Sequence, residues 1–123
     1  VFSRAVQDIV EKAYAVFRDQ DEKLAQKVEP LEAVVDDLNQ EVKKRHIRRL
    51  RNGKCTIELG FILSDITTSL ERVADHCSNI ADCVTQVRDD TYDTHGYLNS
   101  VKNEDSEIFR GLVLEAEEKY LLP

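Results

Sequence analysis

Residues that interrupt helices are scarce in this chain of 123 amino acids, which has four glycines and two prolines, one of them the last residue. Because glycine and proline are the strongest breakers of regular structure, their scarcity favours long helices. Methionine is absent altogether and the sequence begins with Val1, so we expect an excerpt of a longer protein or a processed product. The length suits one domain with a single hydrophobic core.

Long apolar runs are also missing. No run approaches the roughly 18 apolar residues of a membrane-spanning helix, and no basic-then-apolar signal segment opens the chain, so this segment is expected to be soluble. The three cysteines, Cys55, Cys77 and Cys83, are an odd number without a CxxC pair. This pattern is typical of a reducing compartment rather than of a disulfide framework.

Positive charge is in short supply, since 17 Lys and Arg residues stand against 24 Asp and Glu residues and the net charge is −7. This balance argues against a nucleic-acid partner, because phosphates would be repelled by most of the surface. One segment is basic instead: residues 43–54, KKRHIRRLRNGK, contain seven Lys and Arg residues. Contact with phosphate or phospholipid headgroups is one interpretation, and a solvated helix end whose cations complement the helix dipole is the other.

Catalytic machinery is not visible either. The sequence has no glycine-rich phosphate loop, no nucleophile elbow and no ordered Ser/His/Asp set. We therefore predict no catalytic residues and no enzymatic activity.

Apolar periodicity predicts helices and no strands. One amphipathic helix is expected over residues 3–19 and a second from about 22 to 51. Pro30 should either kink the second helix near Val28 or lie in the first turn of a fresh helix. Gly53 is well placed for a left-handed cap after it.

The strongest pattern lies in the third predicted helix, where apolar residues alternate spacings of four and three over four heptads. Such a pattern is a coiled-coil type of seam that faces a bundle core. The seam residues are Leu59, Leu63, Ile66, Leu70, Val73, Cys77, Ile80, Val84 and Val87. With this seam inside, four polar residues of the same helix should face outward; these are Glu71, Asp75, Ser78 and Asp82.

The C-terminal part is expected to contain a loop over residues 88–96 and a last helix from Asp105 or Ser106 through Tyr120. The predicted fold is therefore all-α: an antiparallel bundle of three long helices plus a C-terminal helix.

Two carboxylate pairs have a spacing of four residues: Glu32 and Asp36 on the second helix, and Glu71 and Asp75 on the third. Hard cations need several converging carboxylate oxygens, which two such pairs on neighbouring antiparallel helices can supply. On spacing alone, a solvated acidic face is the preferred interpretation, since such pairs are common on acidic helices.

The two histidines of the helical region, His46 and His76, are interpreted as packed or hydrogen-bonded structural residues. A ferritin-like di-iron site would need a glutamate three residues before each histidine. The sequence has Lys43 and Val73 at those positions.

Residues 69–84, SLERVADHCSNIADCV, resemble the signature helix of PhoU-type proteins. The matching positions are Leu70, Glu71, Arg72, Asp75, His76, Asn79, Ile80 and Ala81. Residues 21–42 resemble the second helix of the same family. Residues 46–66 resemble more particularly the PhoU-like domain at the C-terminus of sodium/phosphate cotransporter proteins.

This resemblance implies that residues 1–123 are one PhoU-like repeat, where the full family has two, within a longer membrane transporter chain. It implies a non-enzymatic regulatory domain of phosphate transport on the cytoplasmic side of the membrane, with the transporter domain of the same polypeptide as its partner. It also implies a multinuclear iron or zinc cluster, bound through Glu/Asp-x-x-x-Asp motifs that fall here on Glu32–Asp36 and Glu71–Asp75. The alternatives are a stand-alone metal-binding protein and a helical module that forms homodimers through leftover apolar surface.

Overall fold

The structure, a computed structural model, describes residues 1–89 and 106–123, and within these ranges it is helical without strands. The helices are α1 (Phe2–Asp19), α2 (Glu22–Ala25), α3 (Val28–Arg51), α4 (Ile57–Asp89) and α5 (Ser106–Lys119). The predicted all-α bundle of three long helices with a C-terminal helix is therefore confirmed. None of the helices that the structure describes is long and apolar enough to cross a membrane.

The break between α1 and α3 begins after Asp19, where the first predicted helix ends. Gln20 ends α1 in the left-handed conformation, with a φ of 53°. Asp21 caps the short α2, its carboxylate accepting a hydrogen bond from the backbone N–H of Leu24 at 3.1 Å. Helix α3 then begins afresh at Val28 and has Pro30 in its first turn, where a missing backbone N–H leaves no helical hydrogen bond unmade.

The turn between α3 and α4 depends on Gly53, whose φ is 66°. A residue without a Cβ adopts this conformation without steric cost. The N–H of Gly53 donates to the carbonyl of Leu50 at 3.1 Å, and that of Lys54 donates to the carbonyl of Arg49 at 2.9 Å. These two bonds form a Schellman cap, so the predicted left-handed cap at Gly53 is confirmed.

The core lies where α1, α3 and α4 pack together. Its fully buried side chains include Ile9 and Val16 of α1 and Val28, Val34 and Val35 of α3. Every position from Gln40 to Ile66 is half-buried or exposed. The core therefore occupies one end of the α3–α4 pair, and the other end extends beyond it.

The buried face of α4 differs from the predicted seam. Cys77 and Val84 are buried, but Val73, Ile80 and Val87 are 40%, 42% and 62% exposed. Helix α4 packs against both α1 and α3, so its buried sector includes the contacts with both. The centre of this buried sector is rotated about the helix axis by roughly a quarter of a turn from the predicted seam. The buried residues of the central part of α4 are Ala74, Cys77, Ser78, Ala81, Asp82, Val84, Thr85 and Gln86.

The same rotation corrects the prediction for the polar residues of α4. Ser78 and Asp82 are buried, at 6% and 2% exposed, and Glu71 is half-buried, so these three do not face outward. Asp75 is exposed, as predicted. The prediction was wrong for the other three because it assumed one neighbour, whereas α3 covers this side of α4.

The C-terminal end of α4 meets the turn between α1 and α2. Arg88 donates to the backbone oxygen of Gln20 at 2.8 Å and forms an ion pair with Glu22 at 3.2 Å. Arg88 and Asp89 therefore belong to the helix rather than to the predicted loop, of which residues 90–96 lie outside the described residues. The last helix begins at Ser106, one of the two predicted starts.

Helix α5 packs on α3 of its own bundle and is joined to α1 through Asp8. The Tyr120 hydroxyl donates to Asp8 Oδ2 at 2.5 Å, Lys119 Nζ donates to the same oxygen at 2.9 Å, and Lys12 donates to Oδ1. Partial burial on its own would raise the pKa of Asp8, but these hydrogen bonds outweigh it and lower the pKa from 3.8 to about 2.

Replacing Asp8 with asparagine is expected to lower the free energy of unfolding by about 2 kcal/mol at pH 7. The lowered pKa sets the pH dependence: the stabilisation by Asp8 is complete above about pH 4, where the unfolded carboxyl is ionised, and is lost as the pH falls toward 2. Urea unfolding of both proteins across this range measures the difference. Asp37→Asn on the exposed side of α3 is the control, and a deficit of Asp8→Asn that does not change with pH would contradict this role.

Candidate functional site

The α3–α4 contact is unusually polar. Ser78 donates a hydrogen bond to the buried carboxylate of Glu29, and the side-chain amide of Asn39 donates to the carboxylate of Glu71. Such partners are what allow polar side chains to be buried between helices. The two bonds also set the antiparallel register of α3 and α4, since the partner residue number on α4 falls as the residue number on α3 rises.

Further along this contact, Asp82 is 2% exposed and accepts a hydrogen bond from Gln86 at 3.1 Å. We call the carboxylates along this contact the acidic face, and its members are Glu29, Glu32 and Asp36 on α3 and Glu71, Asp75 and Asp82 on α4. Because a buried carboxylate is costly without hydrogen-bond partners, the buried members Glu29 and Asp82 belong to the packed contact rather than to a solvated helix side.

The four predicted metal ligands lie on or beside this face. Glu71 is half-buried and accepts a hydrogen bond from Asn39. Glu32 and Asp36 are half-buried on α3, and Asp75 is exposed on α4. Carboxylate oxygens suit hard cations. Across residues 1–89 and 106–123, however, no group of three or more His, Cys, Asp or Glu side chains is close enough to hold a metal ion. The donor chemistry therefore fits a metal, but the number of converging ligands within the described chain does not.

The two histidines differ from each other. His46 is half-buried with its Nδ1 3.4 Å from Cys55 Sγ, and a Cβ added at Gly60 would clash with its imidazole. It is the packed residue that the sequence predicts, and Gly60 leaves room for it. His76 is exposed, so the prediction of a packed histidine is wrong there, again because the buried face of α4 is rotated.

A second surface is an open apolar groove of about 790 Å³ between α1 and α4. We call it the α1–α4 groove. Tyr14 and Phe17 of α1 are each 63% exposed along it, facing Ile80 and Val87 of α4. The full lining consists of Val10, Ala13, Tyr14, Phe17, Gln20, His76, Cys77, Asn79, Ile80, Cys83, Val84 and Val87. A contiguous exposed apolar surface of this kind marks an interaction site.

This groove was not predicted from the sequence, although the sequence contains a signal for it. Val10, Tyr14 and Phe17 are spaced by four and three residues, which is a second apolar stripe on α1 beside the buried one. The exposed half of the α4 seam is the other wall. Two apolar stripes on one helix indicate more apolar surface than a three-helix bundle can cover.

The described residues form an all-α bundle with a polar interhelical contact and an open apolar groove. The family model described as PhoU domain matches residues 2–84, which include α1, α3 and most of α4. The chain belongs to the PhoU family.

One curated relative is similar to about two thirds of the chain. It is the phosphate-specific transport system accessory protein PhoU homolog 1 of Thermotoga maritima, which is 28% identical over 79 residues. The match covers 64% of this chain and 34% of that protein, so the chain spans about a third of the length of the relative. A search of solved structures returned no significant match.

Proposed function

We propose that this chain is a regulatory module of phosphate transport that acts by binding rather than by catalysis. The observation that carries the proposal is the PhoU family match over residues 2–84, which spans the three helices that form the core. The relative from Thermotoga maritima is named as an accessory protein of a phosphate-specific transport system, which supports the same assignment.

The transporter it serves is, in this proposal, a sodium-dependent phosphate transporter of the same polypeptide, with the module on the cytoplasmic side of the membrane. The support is the resemblance of residues 46–66 to PhoU-like domains of sodium/phosphate cotransporters. A domain of this kind regulates by biasing the conformational equilibrium of the transporter, which requires contacts that differ between the transporter states.

The full-length gene product tests this linkage. Several apolar spans of about 20 residues should precede Val1 in that product. A full-length product with no such span would contradict attachment to a transporter while leaving the phosphate-regulatory role to be tested separately.

For the acidic face we propose a metal site to which Glu32, Asp36, Glu71 and Asp75 contribute, with further ligands supplied by a second copy or a second repeat. The shortage of converging ligands in the described chain is the reason for requiring that second contributor. An iron or zinc cluster is the occupant implied by the family resemblance.

Metal analysis of protein purified without chelator is expected to show metal in the wild type and its loss in the double variant Glu71→Gln/Asp75→Asn. The matched control is Glu115→Gln/Glu118→Gln, which removes two exposed carboxylates from α5 and should leave the metal content unchanged. Equal metal content in all three proteins would remove the site from consideration.

A homodimer formed through the α1–α4 groove is a second candidate, and the groove itself favours it. Among the described residues, those that line the groove include no Asp, Glu, Lys or Arg. Two copies that each carry a net charge of −7 can therefore approach through this surface without placing like charges in contact. A surface of this kind is suited to an isologous two-fold interface, in which the same patch is used by both copies.

A further inference from the structure

The end of the α3–α4 pair has the opposite charge to the rest of the molecule. We call residues 43–66, where α3 ends and α4 begins, the basic tip. Seven Lys and Arg residues fall within 43–54, whereas Glu58 and Asp65 are the acidic residues of the whole tip. Because the chain as a whole has a net charge of −7, charge is strongly separated along the bundle.

The basic tip projects beyond the core. Every one of its positions is half-buried or exposed, which agrees with helix lengths of 18 residues for α1 and 33 for α4. At 1.5 Å per residue, α1 can flank only about half of α4.

Large apolar side chains are exposed on this projecting end. Phe61 is 69% exposed, Ile57 61%, Ile62 56% and Leu59 54%, and Ile47 on α3 is 50% exposed. Ile66 is 53% exposed as well. Single exposed apolar residues are ordinary, but six within one basic segment give the tip both exposed apolar side chains and positive charge.

Three cations of the tip line a surface depression on one side of α3. Lys44, Arg48 and Arg51 line a depression of about 290 Å³ together with Ile47 and Asn52. No carboxylate is among these described lining residues. A helix C-terminus attracts cations only in its last turn. This accounts for Arg48, Arg49 and Arg51 but not for Lys43 and Lys44.

We propose that the basic tip docks onto an anionic phospholipid surface, with the Lys44–Arg48–Arg51 pocket on headgroup phosphates and Phe61 and Ile62 in the interface. The argument is charge complementarity: basic residues beside exposed apolar side chains are attracted to anionic lipids and then insert their apolar part. The acidic remainder of the bundle is repelled by the same surface, so the tip points toward the membrane. This inference does not depend on the proposed regulatory function.

Cosedimentation of the full chain with vesicles tests the proposal. The chain is expected to bind vesicles of phosphatidylcholine with phosphatidylglycerol and not vesicles of phosphatidylcholine alone, and high salt should weaken the binding. The variant Lys44→Gln/Arg48→Gln/Arg51→Gln should lower partitioning on the order of a hundredfold. Phe61→Ser/Ile62→Ser should bind at low salt and lose its remaining binding at high salt.

The matched control, Arg4→Gln/Lys23→Gln/Arg110→Gln, removes three exposed cations outside the tip and should bind vesicles nearly as well as the wild type. Circular dichroism checks that all variants are folded. Equal partitioning of the tip-charge variant and the control, or no binding to anionic vesicles, would overturn the proposal. Displacement by free inorganic phosphate at constant ionic strength would show that the pocket takes the free anion instead, which also contradicts a lipid site.

Discussion

Replacing Ile9 with alanine is expected to lower the free energy of unfolding by about 2 to 5 kcal/mol. Ile9 is 0% exposed and is the largest of the fully buried side chains. Its truncation removes buried apolar area and leaves a cavity where α1, α3 and α4 meet. Domains of this size are stabilised by only about 5 to 15 kcal/mol in total, so the loss is a large share. Urea unfolding measures it.

Leu114→Ala is the control for this effect, because Leu114 has the same aliphatic volume but is 59% exposed on α5. It should change the free energy of unfolding by less than about 1 kcal/mol. A loss of the same size at both positions would show that the core does not lie around Ile9.

The second large effect is expected at the α1–α4 groove. If two copies associate there, the variant Phe17→Ser/Ile80→Ser should weaken association at least about a hundredfold, or roughly 3 kcal/mol. The two residues are 63% and 42% exposed in the single chain, so their replacement removes apolar area from the interface and little from the core. Sedimentation velocity over a concentration series, with and without chelator, measures the equilibrium.

Ile108→Ser/Leu114→Ser is the matched control, since these residues are also large, apolar and exposed, at 61% and 59%, but lie on α5. It should associate like the wild type. A wild type that stays monomeric at all concentrations would contradict the dimer. Dissociation by chelator would assign the association to the acidic face and a metal instead of to the groove.

Local features of the fold could be predicted from the sequence because their causes are local. Pro30 lacks a backbone N–H, so a kink or a fresh helix was predicted near Val28, and the structure has the fresh helix, α3, starting at Val28. Gly53 tolerates a positive φ, so the helix ends there. The 3.6-residue apolar period is also a local property of the sequence, and it predicted the three long helices.

The orientation of α4 could not be predicted in this way. Periodicity locates an apolar stripe but does not say how many neighbours a helix has, and α4 packs against α1, α3 and the short α2. Ala74 and Ala81 are small, so they contribute little to an apolar pattern, yet they are 0% and 4% exposed at the contact. Ser78 and Asp82 look like surface residues in the sequence because they are polar. Hydrogen bonds make their burial acceptable: Ser78 donates to Glu29 across the contact, and Gln86 of the same helix donates to Asp82.

The candidate site was predictable in part. The acidic pairs Glu32–Asp36 and Glu71–Asp75 are visible from spacing, and the structure brings α3 and α4 side by side as the pairs require. The hydrogen bond from Asn39 to Glu71 was not foreseeable, because it joins residues 32 positions apart. Whether the four carboxylates hold a metal stays a prediction, since the ligands that would complete the site do not lie among the described residues.

Phosphate uptake tests the central claim, that this chain regulates phosphate transport, most directly. Uptake of radiolabelled phosphate is measured in cells whose chromosomal gene is intact and in cells from which the sequence encoding residues 1–123 has been deleted in frame, each grown with scarce and with abundant phosphate. Intact cells should reduce uptake when phosphate is abundant, and the deletion should abolish that adjustment while leaving uptake itself measurable. The same adjustment in both strains would contradict a regulatory role for this chain.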